Sequence, residues 1–392
     1  MPDKRLKIGF VLFTKVLAGA GTEKVLLNYI KYRPRELNVE TVIFQTDYLD
    51  RERLDDESLR ILENSSEIVT FRSVSKSFKF LWENDLLKFY YFKLLAPILL
   101  CISRFTYNRS QSKKLRDCNI VYLFHNDFLA ELGRSKSQMI IGSTHTVPPT
   151  GRSIMALAKL IRSGLLYHRI YGFHKFFDTD GWLFEREGDF VLPNGVDTTL
   201  FTPARRSEGD NIVFLFVGRL ERNKGILLLI DAWTRIRRDN FELHIVGAGS
   251  QEGVVKSIPG ISWHGRLSEE KLARVYRNSD IFVLPTHGES QSLAVLEALS
   301  SGMAVITSEY LAPSLAEIAS KGAVIFSDNT VEAFSTAMLH AAENIKNMEQ
   351  ERRETATYIH ESLDWKIIVR RFYDELLRLY ESWGNGALDI DE

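Results

Sequence analysis

Residues 286–302 read THGESQSLAVLEALSSG. The run 281–285 (IFVLP) precedes them and 304–308 (AVITS) follows, two short apolar stretches with the length of buried parallel strands. Between them, Gln291 to Ser301 has the composition of a helix, and Gly302 is placed to end it. Strand, polar turn, helix and strand make one step of a parallel α/β sheet. Its turn belongs at the carboxyl edge of the strands, where ligands bind. Two glutamates mark the step, Glu289 in the turn and Glu297 in the helix. Leu293, Ala294, Val295, Leu296, Ala298 and Leu299 surround Glu297, so the helix is apolar nearly all round and should be buried. A buried carboxylate is costly unless it meets a cation, several donors or a ligand hydroxyl. Ordinary pairing with a neighbour and a ligand role are both open at this point.

Outward from this step the pattern repeats. Strands are expected at 212–217, 241–246, 261–264, 281–284, 304–308 and 323–326 with helical patterns between them, an alternation that predicts a doubly wound parallel sheet. The turn after the first of these strands, 218–225, reads GRLERNKG. Arg219 and Lys224 leave a strand's carboxyl end there, Arg suited to bidentate phosphate binding and Lys to act as a point charge. Solvated loop charges are the plain alternative. Gly247 and Gly249 (VGAG, 246–249) form another turn where backbone could approach a ligand, and 264–267 reads HGRL, with Arg266 and Leu267. Residues 329–380 are mostly helical in pattern, ending in a long helix from Trp365 to Tyr380.

The N-terminal half opens as a βαβ unit: a strand at 7–14, glycines at 19 and 21, a helix from Thr22 to Arg33, and a strand at 39–45. The dinucleotide fingerprint G-x-G-x-x-G fails at its third glycine, where Lys24 stands. The run 8–13 (IGFVLF) is short for a signal peptide and reads as the first buried strand. From Arg72 to Arg116 there are ten Lys/Arg and two acids, interleaved with aromatics from Phe78 to Phe92. This suits a membrane interface or, equally, a helical pair with a solvated basic face. Further strands are expected at 119–124 and 138–144. His125 and His145 each follow one of them, and His145 precedes a Pro-rich turn. Arg152 to Phe176 holds no acid and reads as a basic amphipathic helix. Asp178 and Asp180 form a D-x-D, a weak signal taken as a loop.

The totals bound the class. At 392 residues with 45% hydrophobic and 26% charged, the chain has the size of about two domains and an ordinary globular composition. A net charge of −1 gives no global field for nucleic acid. Two cysteines imply no disulfide framework. No run approaches the ~18 uninterrupted apolar residues of a membrane helix.

Glu289 and Glu297 form the E-x7-E signature that the chain shares with the retaining nucleotide-sugar glycosyltransferases of family 4, which it resembles most specifically from Gly218 to Gly302. The resemblance implies the α/β GT-B fold, two Rossmann-like domains facing across a cleft. The expected division is 1–201 as the acceptor-side domain, 202–210 as linker, 211–363 as the nucleotide-sugar domain, and 364–392 as a terminal helix crossing back to the first domain, with a tail. It implies that Glu289 touches the transferred sugar, that Glu297 binds the nucleotide ribose, that Arg219 and Lys224 stabilise the leaving diphosphate, and that His145 contacts the donor sugar. Gly21, Gly247, Gly249, Arg266, Leu267, Ser292 and Leu293 would line the donor site. The donor would be a UDP- or GDP-linked sugar, with no cofactor and no obligatory metal. The acceptor would be a glycan or lipid-linked molecule, at an anionic membrane surface on the cytoplasmic side or in the cytoplasm. A sugar-nucleotide hydrolase or epimerase on the same fold, and a non-catalytic sugar-nucleotide binder, are the alternatives. Ser292 stands where the family usually has Gly, Ala304 where it has Pro, and 312–316 (APSLA) where it has a glycine loop. These departures leave the fold intact and the donor's identity open.

Overall fold

A computed structural model describes residues 5–12, 21–46, 60, 62, 66–71, 109–124, 138–143, 172–173, 192–204, 211–289 and 291–384. The chain divides into two units, 1–192 with 369–392, and 193–368. It therefore passes between units before the polar stretch 202–210, at 192/193, and again within the last helix at 368/369.

In the first unit, β1 (Leu6–Val11), β2 (Val39–Thr46), β3 (Glu67–Phe71), β4 (Ile120–Leu123), β5 (Met139–Ser143) and β6 (Gly172–Phe173) form a sheet in the order β3-β2-β1-β4-β5-β6. All its pairings are parallel. Two helices are described before the last strands, α1 (Gly21–Lys31) and α2 (Arg109–Arg116). Phe10, Tyr122 and Phe124 on the strands meet Tyr29 of α1 and Phe372 from the terminal helix. Tyr29 and Phe372 stack with ring centroids 4.1 Å apart. Such aromatic pairs add about 0.5–1.5 kcal/mol each beyond the area they bury. Two strands correct the sequence reading. β3 had no expected counterpart, and β6 falls inside the stretch 152–176 read as a helix. Gly172 and Phe173 pair instead with Gly142 and Ser143, so a helix cannot run through to 176.

The second unit has the same winding. Its elements are β7 (Ile212–Val217), α3 (Ile226–Ile236), β8 (Phe241–Val246), α4 (Glu252–Ser257), β9 (Ile261–Trp263), α5 (Glu269–Arg277), β10 (Ile281–Leu284), α6 (Leu293–Ser300), β11 (Ala304–Ser308), α7 (Ala312–Ala319), β12 (Val324–Ser327), α8 (Val331–Asn344) and α9 (Glu349–Ser362), followed by the start of α10 (Trp365–Gly384). The sheet order is β12-β11-β10-β7-β8-β9, all parallel. β7, first in sequence, sits beside β10, fourth in sequence. That neighbouring pair is the topological switch point, where crossovers leave to opposite sides and a crevice opens at the carboxyl ends.

The register shows the opening. β7 pairs with β8 along its whole length, from Ile212↔Phe241 to Val217↔Val246. With β10 it pairs only at Phe214↔Ile281 and Leu215↔Phe282, so the last two residues of each strand lie outside the ladder. α6 ends as a Schellman motif, with Met303 N–H donating to the Ala298 carbonyl at 3.1 Å and Gly302 N–H to that of Leu299 at 3.0 Å. Residues 309–311 form a single turn of 3₁₀ helix leading into α7, which takes up the stretch 312–316.

Candidate active site

The turns after β7 and β10 flank the switch point and are tied together by one carbonyl. Asn223 C=O accepts from the His287 N–H at 2.9 Å and from the Thr286 hydroxyl at 3.3 Å. Thr286 is fully buried, and its own carbonyl accepts from Ser308 Oγ at 2.7 Å and Asn329 Nδ2 at 2.9 Å. Four segments thus lock at the carboxyl edge of β7, β10, β11 and β12.

This lock brings together two of the expected residues. Lys224 Nζ lies 2.8 Å from Glu289 Oε1, with 15% and 20% of the two side chains exposed. Gly225 makes the approach possible: at φ +72°, a Cβ there would stand 1.8 Å from the Pro285 carbonyl oxygen. The other carboxylate oxygen, Glu289 Oε2, is buried and has no hydrogen-bond partner among the described residues. Arg219 is exposed and makes no side-chain hydrogen bond or ion pair among the described residues. The backbone behind it is held: Glu221 N–H donates to the Arg219 carbonyl at 2.8 Å, while the Glu221 carboxylate accepts from Ser250 N–H and Oγ.

Glu297 is buried, 5% exposed, as its apolar neighbours required. Its Oε2 accepts from the Tyr276 hydroxyl at 3.1 Å, and the same hydroxyl lies 3.2 Å from the Ala294 carbonyl. Burial first, and then the Glu297 charge, raise the Tyr276 pKa well above the usual phenol value, so Tyr276 is a permanent donor. Ordinary pairing therefore accounts for part of what Glu297 needs. Ser292, also buried, is the N-cap of α6 with extended backbone and no side-chain cap bond, and Leu293 begins the helix. Helix amides at such an end suit an anion or a sugar oxygen.

The glycine turn of 246–249 is packed rather than open. Gly247, at φ +134°, would place a Cβ 1.9 Å from the Gly218 carbonyl oxygen, and Gly249 would place one 2.6 Å from that of Leu220. Close crossing of the β7 and β8 turns already requires both glycines. Arg266 is exposed and Leu267 half-buried, in the loop whose Gly265 carbonyl accepts from Gly247 N–H at 2.7 Å. Next to them, His264 faces His244 with ring centroids 5.0 Å apart. Partial burial, and then the charge of His244, lower the His264 pKa. Gly21 is the first residue of α1 in the other unit, with nothing among the described residues within 4 Å of where a Cβ would stand. His125, His145, Asp178 and Asp180 lie outside the described residues, as does most of the basic aromatic run. Among the described residues, no group of three or more His, Cys, Asp or Glu is placed to hold a metal ion.

Sequence reasoning missed Asn223, Tyr276 and the pair Asn194–Gln291. Asn194 N–H donates to Gln291 Oε1 at 2.6 Å and its Nδ2 to the Gln291 carbonyl at 3.3 Å, both residues buried. This ties the segment entering the unit to the turn that carries Glu289. The PNG at 193–195 was a turn signal; nothing in the sequence names its partner.

Residues 211–344, which hold this whole constellation, match the family model described as Glycosyl transferases group 1. This segment is similar to the group 1 glycosyltransferases. A D-inositol 3-phosphate glycosyltransferase of Geodermatophilus obscurus is 37% identical over 142 residues, covering 30% of this chain and 32% of that protein. A phosphatidyl-myo-inositol mannosyltransferase of Mycobacterium tuberculosis is 32% identical over 129 residues, 30% of this chain and 34% of that one. The chain thus matches about a third of the length of these curated relatives. Among solved structures, a sucrose-phosphate synthase from Thermosynechococcus elongatus aligns over 96% of this chain and all of its own, with TM-score 0.70 and 15% identity. Anabaena HepE in complex with UDP and glucose aligns over 95% and 99%, with TM-score 0.69 and 14% identity. These structures fix the fold class as GT-B.

Proposed function

We propose that the protein is a retaining glycosyltransferase that moves a hexose-type unit from a UDP- or GDP-linked donor to a glycan or lipid-linked acceptor. The observation that carries this reading is the meeting of Lys224 and Glu289 across the switch point, at 2.8 Å. A diphosphate in the crevice between β7 and β10 would meet two cations, and the α6 N-terminus would add backbone donors. Glu289 would accept from sugar hydroxyls and Glu297 from the ribose. Charge stabilisation of the departing diphosphate would supply most of the rate. One of its oxygens would take the acceptor proton on the same face, which needs neither a protein nucleophile nor an obligatory metal.

The basic segments of the first unit are the basis for placing the reaction at the cytoplasmic surface of a membrane. Of these, Arg109–Arg116 is described, and it presents Lys113, Lys114 and Arg116 to solvent. No helix among the described residues is long and apolar enough to cross a bilayer. Each such cation near an anionic surface is worth about 1 kcal/mol, so attachment would be reversible and salt-sensitive.

The test is a thermal-shift panel of nucleoside diphosphates and their sugars. It is followed by turnover of the stabilising donor with lipid-linked acceptors, with and without a chelator, and assignment of the product's anomeric configuration. Stabilisation by no nucleotide sugar, or an inverted product, overturns the reading.

A further inference from the structure

We propose that Glu289 makes this site discriminate the nucleotide sugar from the bare nucleoside diphosphate, by competing with the diphosphate for Lys224. The inference rests on the nucleotide-sugar reading above and deepens it. Lys224 is already engaged: its ammonium is 2.8 Å from Glu289 Oε1, and both side chains are mostly shielded from water. Attraction in such a place is stronger than at an open surface. An incoming diphosphate must draw this cation away from its carboxylate.

The consequence differs for the two ligands. Glu289 Oε2 is buried and accepts no hydrogen bond among the described residues, so Lys224 is the principal compensation for the charge. Once the diphosphate takes Lys224, a largely buried carboxylate is left uncompensated, which is costly. A bare nucleoside diphosphate brings no donor to that end. A sugar beyond the diphosphate brings hydroxyls, which can donate to both carboxylate oxygens. Glu289 therefore opposes the product-like ligand and accommodates the substrate-like one. After transfer, the nucleoside diphosphate faces a Glu289 with no sugar hydroxyl, Lys224 returns to its pair, and the product is expelled. The rigid backbone favours this competition. Asn223 C=O holds His287 N–H and the Thr286 hydroxyl, so the two turns cannot drift apart to separate the pair.

Calorimetry tests this with UDP and UDP-glucose, and with GDP and GDP-mannose, on the full chain. The wild type should bind the sugar-bearing member of its pair more tightly. Glu289→Gln should bind the bare diphosphate about tenfold more tightly, equivalent to about 1.4 kcal/mol, and should lose the preference for the sugar-bearing ligand. In a Lys224→Met background the same substitution should change diphosphate affinity less than about twofold, because the competition runs through Lys224. If Glu289→Gln does not fold, Glu289→Ala provides the same comparison. Unchanged or weaker diphosphate binding in the variant, or a gain that survives in the Lys224→Met background, overturns the inference alone. Binding of none of the four ligands by wild type or variant overturns the nucleotide-sugar reading itself.

Discussion

The hydroxyl of Tyr276 donates to Glu297 Oε2 at 3.1 Å, and both residues are buried. Tyr276 closes α5 and Glu297 lies in the middle of α6, so the bond joins the helices on either side of β10. Removing the donor leaves a buried carboxylate short of a partner, which costs about 1–3 kcal/mol. Tyr276→Phe should therefore lower the free energy of unfolding by that order, read in urea titrations. Glu297→Gln keeps an acceptor oxygen for Tyr276 and should be milder on stability. If Glu297 also binds the ribose, this variant should nevertheless weaken nucleoside diphosphate binding at least tenfold by calorimetry. Intact binding in Glu297→Gln would reduce the residue to a purely structural pair with Tyr276.

Arg219→Ala and Lys224→Ala should each lower turnover at saturating donor by ~10²-fold or more, as for other preorganised charge stabilisers. They should differ in stability. Arg219 is exposed and unpaired among the described residues, so its loss should fall within about 0.5 kcal/mol of neutral. Lys224→Ala strips Glu289 of its ion-pair partner and should destabilise more. Near-normal diphosphate release in either variant would remove that residue from the mechanism.

The second unit was legible because its central strands β7, β10 and β11 are buried on both faces and read as continuous apolar runs bounded by Gly and Pro. β7, β8, β10 and β11 fall on the expected residues. The edges of the first sheet were not legible. β3 exposes Glu67, Ile68 and Thr70 and carries little periodic signal, and β6 is two residues long, held by pairing with β5. Arg152, Lys159, Arg162 and Arg169 gave a helical period that extended the reading through it. At the site, charge at a strand's carboxyl end and a carboxylate in an apolar helix pointed to Lys224, Glu289 and Glu297. Their partners, Asn223, Tyr276 and Asn194, are long-range contacts, and single-sequence patterns carry no information on which distant carbonyl or hydroxyl a chain will meet.

Gly247 and Gly253 make a matched pair for testing what the glycine turn is for. A Cβ on Gly247 would meet the Gly218 carbonyl oxygen at 1.9 Å with φ at +134°, so Gly247→Ala must shift backbone. Strain of that kind costs about 1–3 kcal/mol, and the β7 turn holding Arg219 should move with it. Gly253 sits in α4 with nothing within 4 Å of the added carbon, so Gly253→Ala should be neutral or stabilise by up to about 1 kcal/mol. Urea unfolding of both variants reads the contrast. Equal stabilities would mean that the crossing of the two turns is not tight.

Alkaline solution should unfold the protein earlier than its surface charge alone would suggest. Tyr29, Tyr276 and Tyr373 are fully buried, and burial is the first cause raising each phenol pKa above its ordinary value of 10.0. The Cys118 thiol, also buried, is pushed up to about 12 from 9.0. In the unfolded chain all four groups titrate near their ordinary values. The folded state thus keeps protons that the unfolded state releases. A group raised in the fold contributes its full stabilisation below the unfolded pKa and loses it as pH climbs through the folded one. Below about pH 9, stability should be insensitive to these groups. Above about pH 10 each fully engaged group steepens the decline by up to about 1.4 kcal/mol per pH unit. Urea midpoints measured across that range, with tyrosinate absorbance followed in the native protein, check the sign. Replacing Tyr373 by Phe should flatten the slope, at the cost of its 3.2 Å hydrogen bond to the Tyr29 carbonyl. Native tyrosinate signals rising with ordinary pKa values for every tyrosine, ahead of unfolding, would show that these three phenols reach water and would overturn the prediction.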